Sequence, residues 1–143
     1  MAFLFSWTSG YKELVNAIIR PPRKAYSIED LGPKNVILPG GLRVKREDIE
    51  LTNSRNMKLK CSWFRPRSMV GPKPVVVYLH GNSSSRMEAV DQLENLISFG
   101  ITLFCFDFSG CGLSEGEYIS LGYYECNDVK LVVDYLRKRR EVS

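Results

Sequence analysis

The sequence predicts an α/β fold on a mixed sheet, and three observations predict it. Residues 43–66 alternate apolar and polar with a period of two on either side of a turn-forming TNSRN. Two uninterrupted apolar runs, PVVVYL (74–79) and ITLFCFDF (101–108), have the β-branched and aromatic content of buried strands. Each of these runs is followed by a segment of helical periodicity, so the order is hairpin, strand, helix, strand, helix. Two parallel strands joined through a helix require a right-handed crossover.

Composition sets the frame for that reading. A chain of 143 residues is the size of one domain, and 44% hydrophobic with 25% charged residues is ordinary for a globular protein. The net charge of +4 gathers only at RPPRK (20–24) and RKRR (137–140), too little for the basic stripe of a nucleic-acid binder. Cys61, Cys105, Cys111 and Cys126 form no C-x-x-C pair, and His80 is the single histidine, so neither a metal site nor a disulfide framework is indicated. No cofactor is expected, and a reduced, cytoplasmic setting fits these cysteines.

Two regions follow from the periodicity: an N-terminal helical and extended segment, 1–42, and an α/β unit, 43–143. The N-terminus is apolar at Phe3, Leu4, Phe5 and Trp7 but turns polar by Thr8, which fits neither a signal peptide nor a membrane span. Leu14, Val15, Ile18 and Ile19 form an amphipathic stripe over 11–20, ended by Pro21-Pro22. That helix either packs on its own domain or makes a peripheral membrane contact, with aromatic anchors before it and a basic cluster after it, across residues 1–24.

Within the α/β unit the hairpin alternates Met57, Leu59, Cys61 and Trp63 with Lys58, Lys60 and Ser62, the pattern of a half-buried pair. The run at 74–79 is expected to be covered on both faces. After it, Ser85 and Glu88 have capping-box spacing, Met87, Val90, Leu93 and Ile97 give a helical face, and Gly100 supplies the stop. Val129, Val132, Val133 and Leu136 mark the last helix, and RKRR is expected to be its solvated end, complementing the helix dipole.

The chemistry-bearing residues stand where the two buried runs end. His80-Gly81-Asn82 closes the first run, and the small residues of GNSSS let backbone N–H groups approach a reacting oxygen. Taken alone, HGNSSS would also serve as an ordinary strand-to-helix turn with capping residues. The second run leads into DFSGCGLSEG, and GLSEG satisfies G-x-S-x-G, the pattern of a serine nucleophile on a strand-to-helix elbow. Five residues separate Phe108 from Ser114, however, and no helical periodicity follows at once, so the elbow context is missing.

Together, a strand ending in HGN, a helix, a strand ending in DFSGCGLSEG and a second helix resemble the first half of the α/β-hydrolase fold. The resemblance is to its serine-aminopeptidase and monoacylglycerol-lipase-like branch, including depalmitoylase-like members, over roughly residues 43–143. It implies a strand order 1-2-4-3-5-6-7-8, with the run at 74–79 as the third strand. It also implies that Asn82 offers an oxyanion-hole N–H while His80 and Gly81 shape that loop. DFSGCGLSEG then matches the glycine loop after the fourth strand through Asp107, Gly110, Gly112, Ser114 and Gly116, a structural role. The nucleophile is implied one helix and one strand later, beyond Ser143.

Chain order supports the same expectation. In this fold the acid and the histidine base follow the nucleophile, and no histidine follows His80. Cys111 could be activated by His80 if the two strand ends converge, although nothing in the sequence points to a lowered thiol pKa. Asp107 reads as a turn-holding residue.

The chain is therefore expected to be a fragment of a serine hydrolase acting on esters, thioesters or amides. It is expected to be inactive alone, with an open sheet edge that favours instability or partner dependence. The whole protein would take an acyl-type small molecule or a lipidated substrate. A non-catalytic interaction or membrane-peripheral protein built on the same fold is the alternative.

Overall fold

Alternation in the hairpin sets the first strand pair. The structure, a computed structural model, describes residues 2–143, with side chains from residue 10 onward. Strands β2 (Arg43–Thr52) and β3 (Lys58–Pro66) pair antiparallel, with Ile49 opposite Cys61 and Leu51 opposite Leu59. A short β1 (Asn35–Ile37) adds to the outer side of β2. The two later strands, β4 (Val75–Tyr78) and β5 (Thr102–Phe106), pair parallel, and β5 pairs antiparallel with β3. The order is β1-β2-β3-β5-β4, so the sheet is mixed. Setting β1 aside, this is the order 1-2-4-3 that the resemblance implies.

Helices cover the two faces. α2 (Leu93–Ser98) packs Leu93 and Ile97 on Val44, Phe64, Leu103 and Cys105. α3 (Glu125–Arg137) packs Val132 and Leu136 on Leu59, Trp63, Phe104 and Phe106. Successive residues of β5 thus enter opposite cores, which is why its sequence is apolar without interruption. Each such fully buried side chain contributes about 1.5–3 kcal/mol.

β3 is more central than a half-buried hairpin strand, because Ser62 and Phe64 are buried as fully as Leu59, Cys61 and Trp63. β4, by contrast, is not covered on both faces. Among the described residues it pairs on one side only, and Val76 and Leu79 are exposed. Its apolar run says that it suits a buried position, not that these residues bury it.

The segment after β4 begins with 3-10 turns over Arg86–Gln92 and becomes α-helical only at Leu93. Ser85 caps it by accepting from Met87 N–H, but Glu88 completes no capping box, since its carboxylate bonds elsewhere. Gly100, at φ +72°, stops the helix as expected. RKRR is solvated only in part. Arg137 ends α3, while Arg139 folds back against the Trp63 and Tyr135 rings and pairs with Glu47 and Glu141.

The N-terminal helix α1 (Ala2–Ile19) is longer than the stripe at 11–20 suggests. The aromatic anchors Phe3, Leu4, Phe5 and Trp7 lie outside the residues whose side chains are described. No helix among the described residues is long and apolar enough to cross a membrane.

Candidate functional site

The parallel pairing of β4 with β5 brings the loops that follow them side by side, at the carboxyl ends of the strands where open α/β sheets bind ligands. His80 ties them together. Its Nε2 accepts a hydrogen bond from Phe108 N–H at 3.1 Å, which places the ring proton on Nδ1, 2.8 Å from the Gly81 carbonyl oxygen. The ring also meets Phe108 edge to face, 5.1 Å between centroids. Both nitrogens of the single histidine are therefore committed to holding the loop.

Glu88 fixes the next residue. Its Oε2 accepts from Gly81 N–H at 3.0 Å, and bonds from the Ser84 side chain and from Gly81 hold its carboxyl below the ordinary carboxylate value. The Gly81 carbonyl oxygen accepts from Ser84 N–H at 3.1 Å. Ser83 takes φ +62°, a left-handed conformation that costs a non-glycine residue about 1–2 kcal/mol. Asn82 is exposed at the tip, and its N–H takes part in no hydrogen bond among the described residues. The loop thus presents one backbone donor while its neighbours are occupied.

Asp107, fully buried, organises the second loop. One carboxylate oxygen accepts from Arg86 N–H at 2.7 Å, and the other from Leu113 N–H at 2.9 Å and from the Tyr26 hydroxyl. Burial, and after it the bond to Asp107, pushes the Tyr26 phenol pKa upward and keeps it a donor. Gly112, at φ +46°, is required here, since a Cβ would lie 2.4 Å from the Asp107 carboxyl carbon. Gly110 is equally constrained, because a Cβ there would meet the Tyr118 carbonyl oxygen at 2.4 Å.

Ser114 sits inside this loop, 3% exposed. Its hydroxyl donates to the Asp107 carbonyl oxygen at 2.6 Å and accepts from Lys60 N–H at 2.8 Å. Glu115 N–H continues the pairing to Lys58 O at 3.0 Å, so residues 114–115 run beside the start of β3. Cys111 is 5% exposed, and burial pushes its thiol up to about 11, the opposite of the depression that nucleophilic activation needs. The strand ends do converge, but His80 turns to Phe108 and Gly81.

Two features escape sequence periodicity. The stretch after α1 crosses the glycine loop: Ile119 N–H bonds Ile19 O at 2.8 Å, Arg20 pairs with Glu117 at 2.7 Å, and Arg23 donates to the carbonyl oxygens of Ser114 and Gly116. The second is Asp128, 1% exposed on α3, which accepts from Asn53 Nδ2 at 2.8 Å, Ser109 N–H at 3.1 Å and Ser109 Oγ at 2.6 Å. A signal for Asp128 exists, because it precedes Val132 and Leu136 at spacings of four, an acid on the apolar face. No group of three or more metal-ligating side chains comes together among the described residues.

This geometry has relatives. No family model matches the sequence. The chain is 28% identical over 132 residues to the uncharacterized protein YfhR of Salmonella typhi, covering 90% of this chain and 40% of that protein. Among solved structures it is similar to the Pyrococcus furiosus esterase Pf2001, with 29% identity and a TM-score of 0.63 over 87% of this chain and 42% of the esterase. It is also similar to the alpha/beta hydrolase GrgF from Penicillium sp. sh18, with 20% identity and a TM-score of 0.59 over 68% of this chain and 34% of that one, a likeness of fold. The chain therefore carries a partial α/β-hydrolase fold. It spans about 40% of the length of the curated relatives it matches.

Proposed function

We propose that these 143 residues form the oxyanion-loop half of a serine hydrolase of the serine-aminopeptidase and monoacylglycerol-lipase-like branch. It would act on acyl-type esters, thioesters or amides, including those of lipidated molecules. The observation that carries this reading is the exposed, unbonded N–H of Asn82 at the end of β4, beside a histidine and a glutamate that hold the loop in place. Such a donor stabilises the developing oxyanion of a tetrahedral intermediate and needs no movement to do so. Similarity to esterases that extend well beyond the matched region supports the same reading.

In this proposal the nucleophile, the acid and the base lie outside these residues, and Ser114 is a loop pin. Both of its hydroxyl interactions are made with the main chain, and neither partner is a base. Asp107 and Asp128 are saturated by donors and serve architecture rather than proton transfer.

A fluorophosphonate probe tests the assignment on the purified chain. The expected result is no covalent adduct. Labelling at Ser114, mapped by mass spectrometry, would overturn the loop-pin reading. Extending the expressed chain along its coding sequence tests the other half. A labelled serine in a strand-to-helix G-x-S-x-G, whose acylation rate falls when Asn82 is replaced by Pro to delete its N–H, supports the proposal. An extended chain that turns over acyl substrates equally well with Pro at 82 refutes it.

A further inference from the structure

Exposed apolar side chains gather where α1 meets the loop after β5. On α1 the residues Leu14, Ile18, Tyr11, Val15 and Ile19 form one continuous apolar arc of the helix. The domain covers only one flank of it. Val15 and Ile19 are half-buried, whereas Tyr11, Leu14 and Ile18 are 68%, 61% and 48% exposed. An apolar arc wider than the contact it makes is built for a second environment.

The loop supplies the other part. Leu121 and Tyr123 are 65% and 75% exposed, with Tyr118 and Tyr124 beside them. Leu121 is held at φ +51°, a left-handed conformation that costs a non-glycine residue about 1–2 kcal/mol and here turns an apolar side chain toward solvent. The helix and loop areas adjoin through the Ile119 to Ile19 main-chain bond and the Arg20–Glu117 pair, with the Arg20 guanidinium 6.0 Å from the Tyr118 ring.

Charge identifies the partner. Residues 1–24 carry Lys12, Arg20, Arg23 and Lys24 against the single acid Glu13, and with Glu117 offsetting Arg20 the surroundings of the patch stay positive. Exposed tyrosines, aliphatic side chains on a helix face and flanking cations are the composition of a segment that lies in a membrane interface. A protein partner would need shape that this open, convex arc does not offer.

We propose that the exposed face of α1 and the 118–124 loop form one surface that docks on an anionic lipid bilayer. Cations contact the headgroups, and Leu14, Ile18 and Leu121 enter the acyl boundary. This surface borders the loops that follow β4 and β5, so a bound bilayer would present acyl chains directly to the Asn82 donor. That last step rests on the hydrolase reading; the docking surface does not.

Vesicle co-sedimentation of the 143-residue chain tests the surface without any need for turnover. Binding is expected to vesicles containing phosphatidylserine, weakened by salt, and not to pure phosphatidylcholine. Lys12→Gln with Lys24→Gln is expected to weaken it about 30-fold, from about 1 kcal/mol for each lysine near the surface. The apolar pairs Leu14→Ser with Ile18→Ser, and Leu121→Ser with Tyr123→Ser, are each expected to abolish pelleting while the circular dichroism of the chain is preserved. No vesicle binding overturns the proposal, as does binding that survives the loop pair. A dimer that dissociates in the helix-pair variant without any lipid affinity assigns the face to a second copy instead, and also overturns it. Loss of fluorophosphonate reactivity in an extended chain would count against the hydrolase reading and leave vesicle binding unchanged.

Discussion

The Ser114 hydroxyl donates to the main-chain carbonyl oxygen of Asp107 and at the same time accepts from Lys60 N–H, so one side chain closes the glycine loop and fastens it to β3. Replacing it with Ala leaves two buried main-chain groups without partners. The Ser114→Ala chain is expected to lose about 2 kcal/mol of unfolding free energy. Urea denaturation followed by tryptophan fluorescence measures this, and an unchanged midpoint would contradict the pinning role.

Glycines in the chain are expected to respond unequally to substitution. At Gly112 a Cβ would stand 2.4 Å from the Asp107 carboxyl, inside a fully buried cluster, whereas at Gly100 it would meet nothing within 4 Å. Gly112→Ala is expected to cost more than about 4 kcal/mol or to prevent folding, because backbone strain and a buried clash act together. Gly100→Ala is expected to cost only about 1 kcal/mol, the penalty of a left-handed residue. Paired thermal unfolding curves distinguish them.

Acid should loosen the loop at the end of β4. Bonds from Ser84 and then Gly81 hold the Glu88 carboxyl below its usual value of 4.5 in the folded state. A depressed carboxylate contributes stability that is fully present above the unfolded value and is lost as pH falls through the folded one. Hydrogen exchange at the Gly81 amide, relative to that of β5, is expected to accelerate below the ordinary carboxylate range. In Glu88→Gln the same ratio should be flat with pH. Exchange that tracks pH equally in both chains would refute the role of Glu88.

The four cysteines should separate cleanly by alkylation. Burial pushes Cys105 up to about 12 and Cys111 up to about 11, and raises Cys61 further still, while Cys126 is exposed. Iodoacetamide at neutral pH is expected to modify Cys126 alone in the folded chain, and all four after denaturation. Rapid modification of Cys111 in the native protein, read by peptide mass, would revive it as a nucleophile.

The sequence reveals most where side chains repeat. Period two exposes the hairpin because Leu59, Cys61 and Trp63 share one face, and the continuous apolar run of β5 reflects two cores meeting on one strand. β1 is three residues long, too short to show any period. Glu88 has the spacing of a capping box, yet the same carboxylate can reach the Gly81 N–H, and local spacing does not say which donor wins. The bonds from Arg23 and Tyr26 to the glycine loop join residues more than 80 positions apart in an aperiodic segment, so only tertiary structure brings them together. For the site, His80, Asn82, Asp107 and Ser114 are visible in the sequence because glycines and a histidine at strand ends are rare. Asn53 is not, because a turn asparagine looks the same whether or not Asp128 lies beneath it.

The bond from Phe108 N–H to His80 also orders events in time. It spans 28 residues and cannot form until β4 and β5 have paired in parallel, a long-range closure, whereas the β2–β3 hairpin can form from neighbours. Contacts of large sequence separation pay their chain-closure entropy before they return any stability. The donor-bearing loop is thus among the last parts of the chain to take its shape during folding, and a newly made chain passes through a stage in which its hairpin is built and that loop has no fixed geometry.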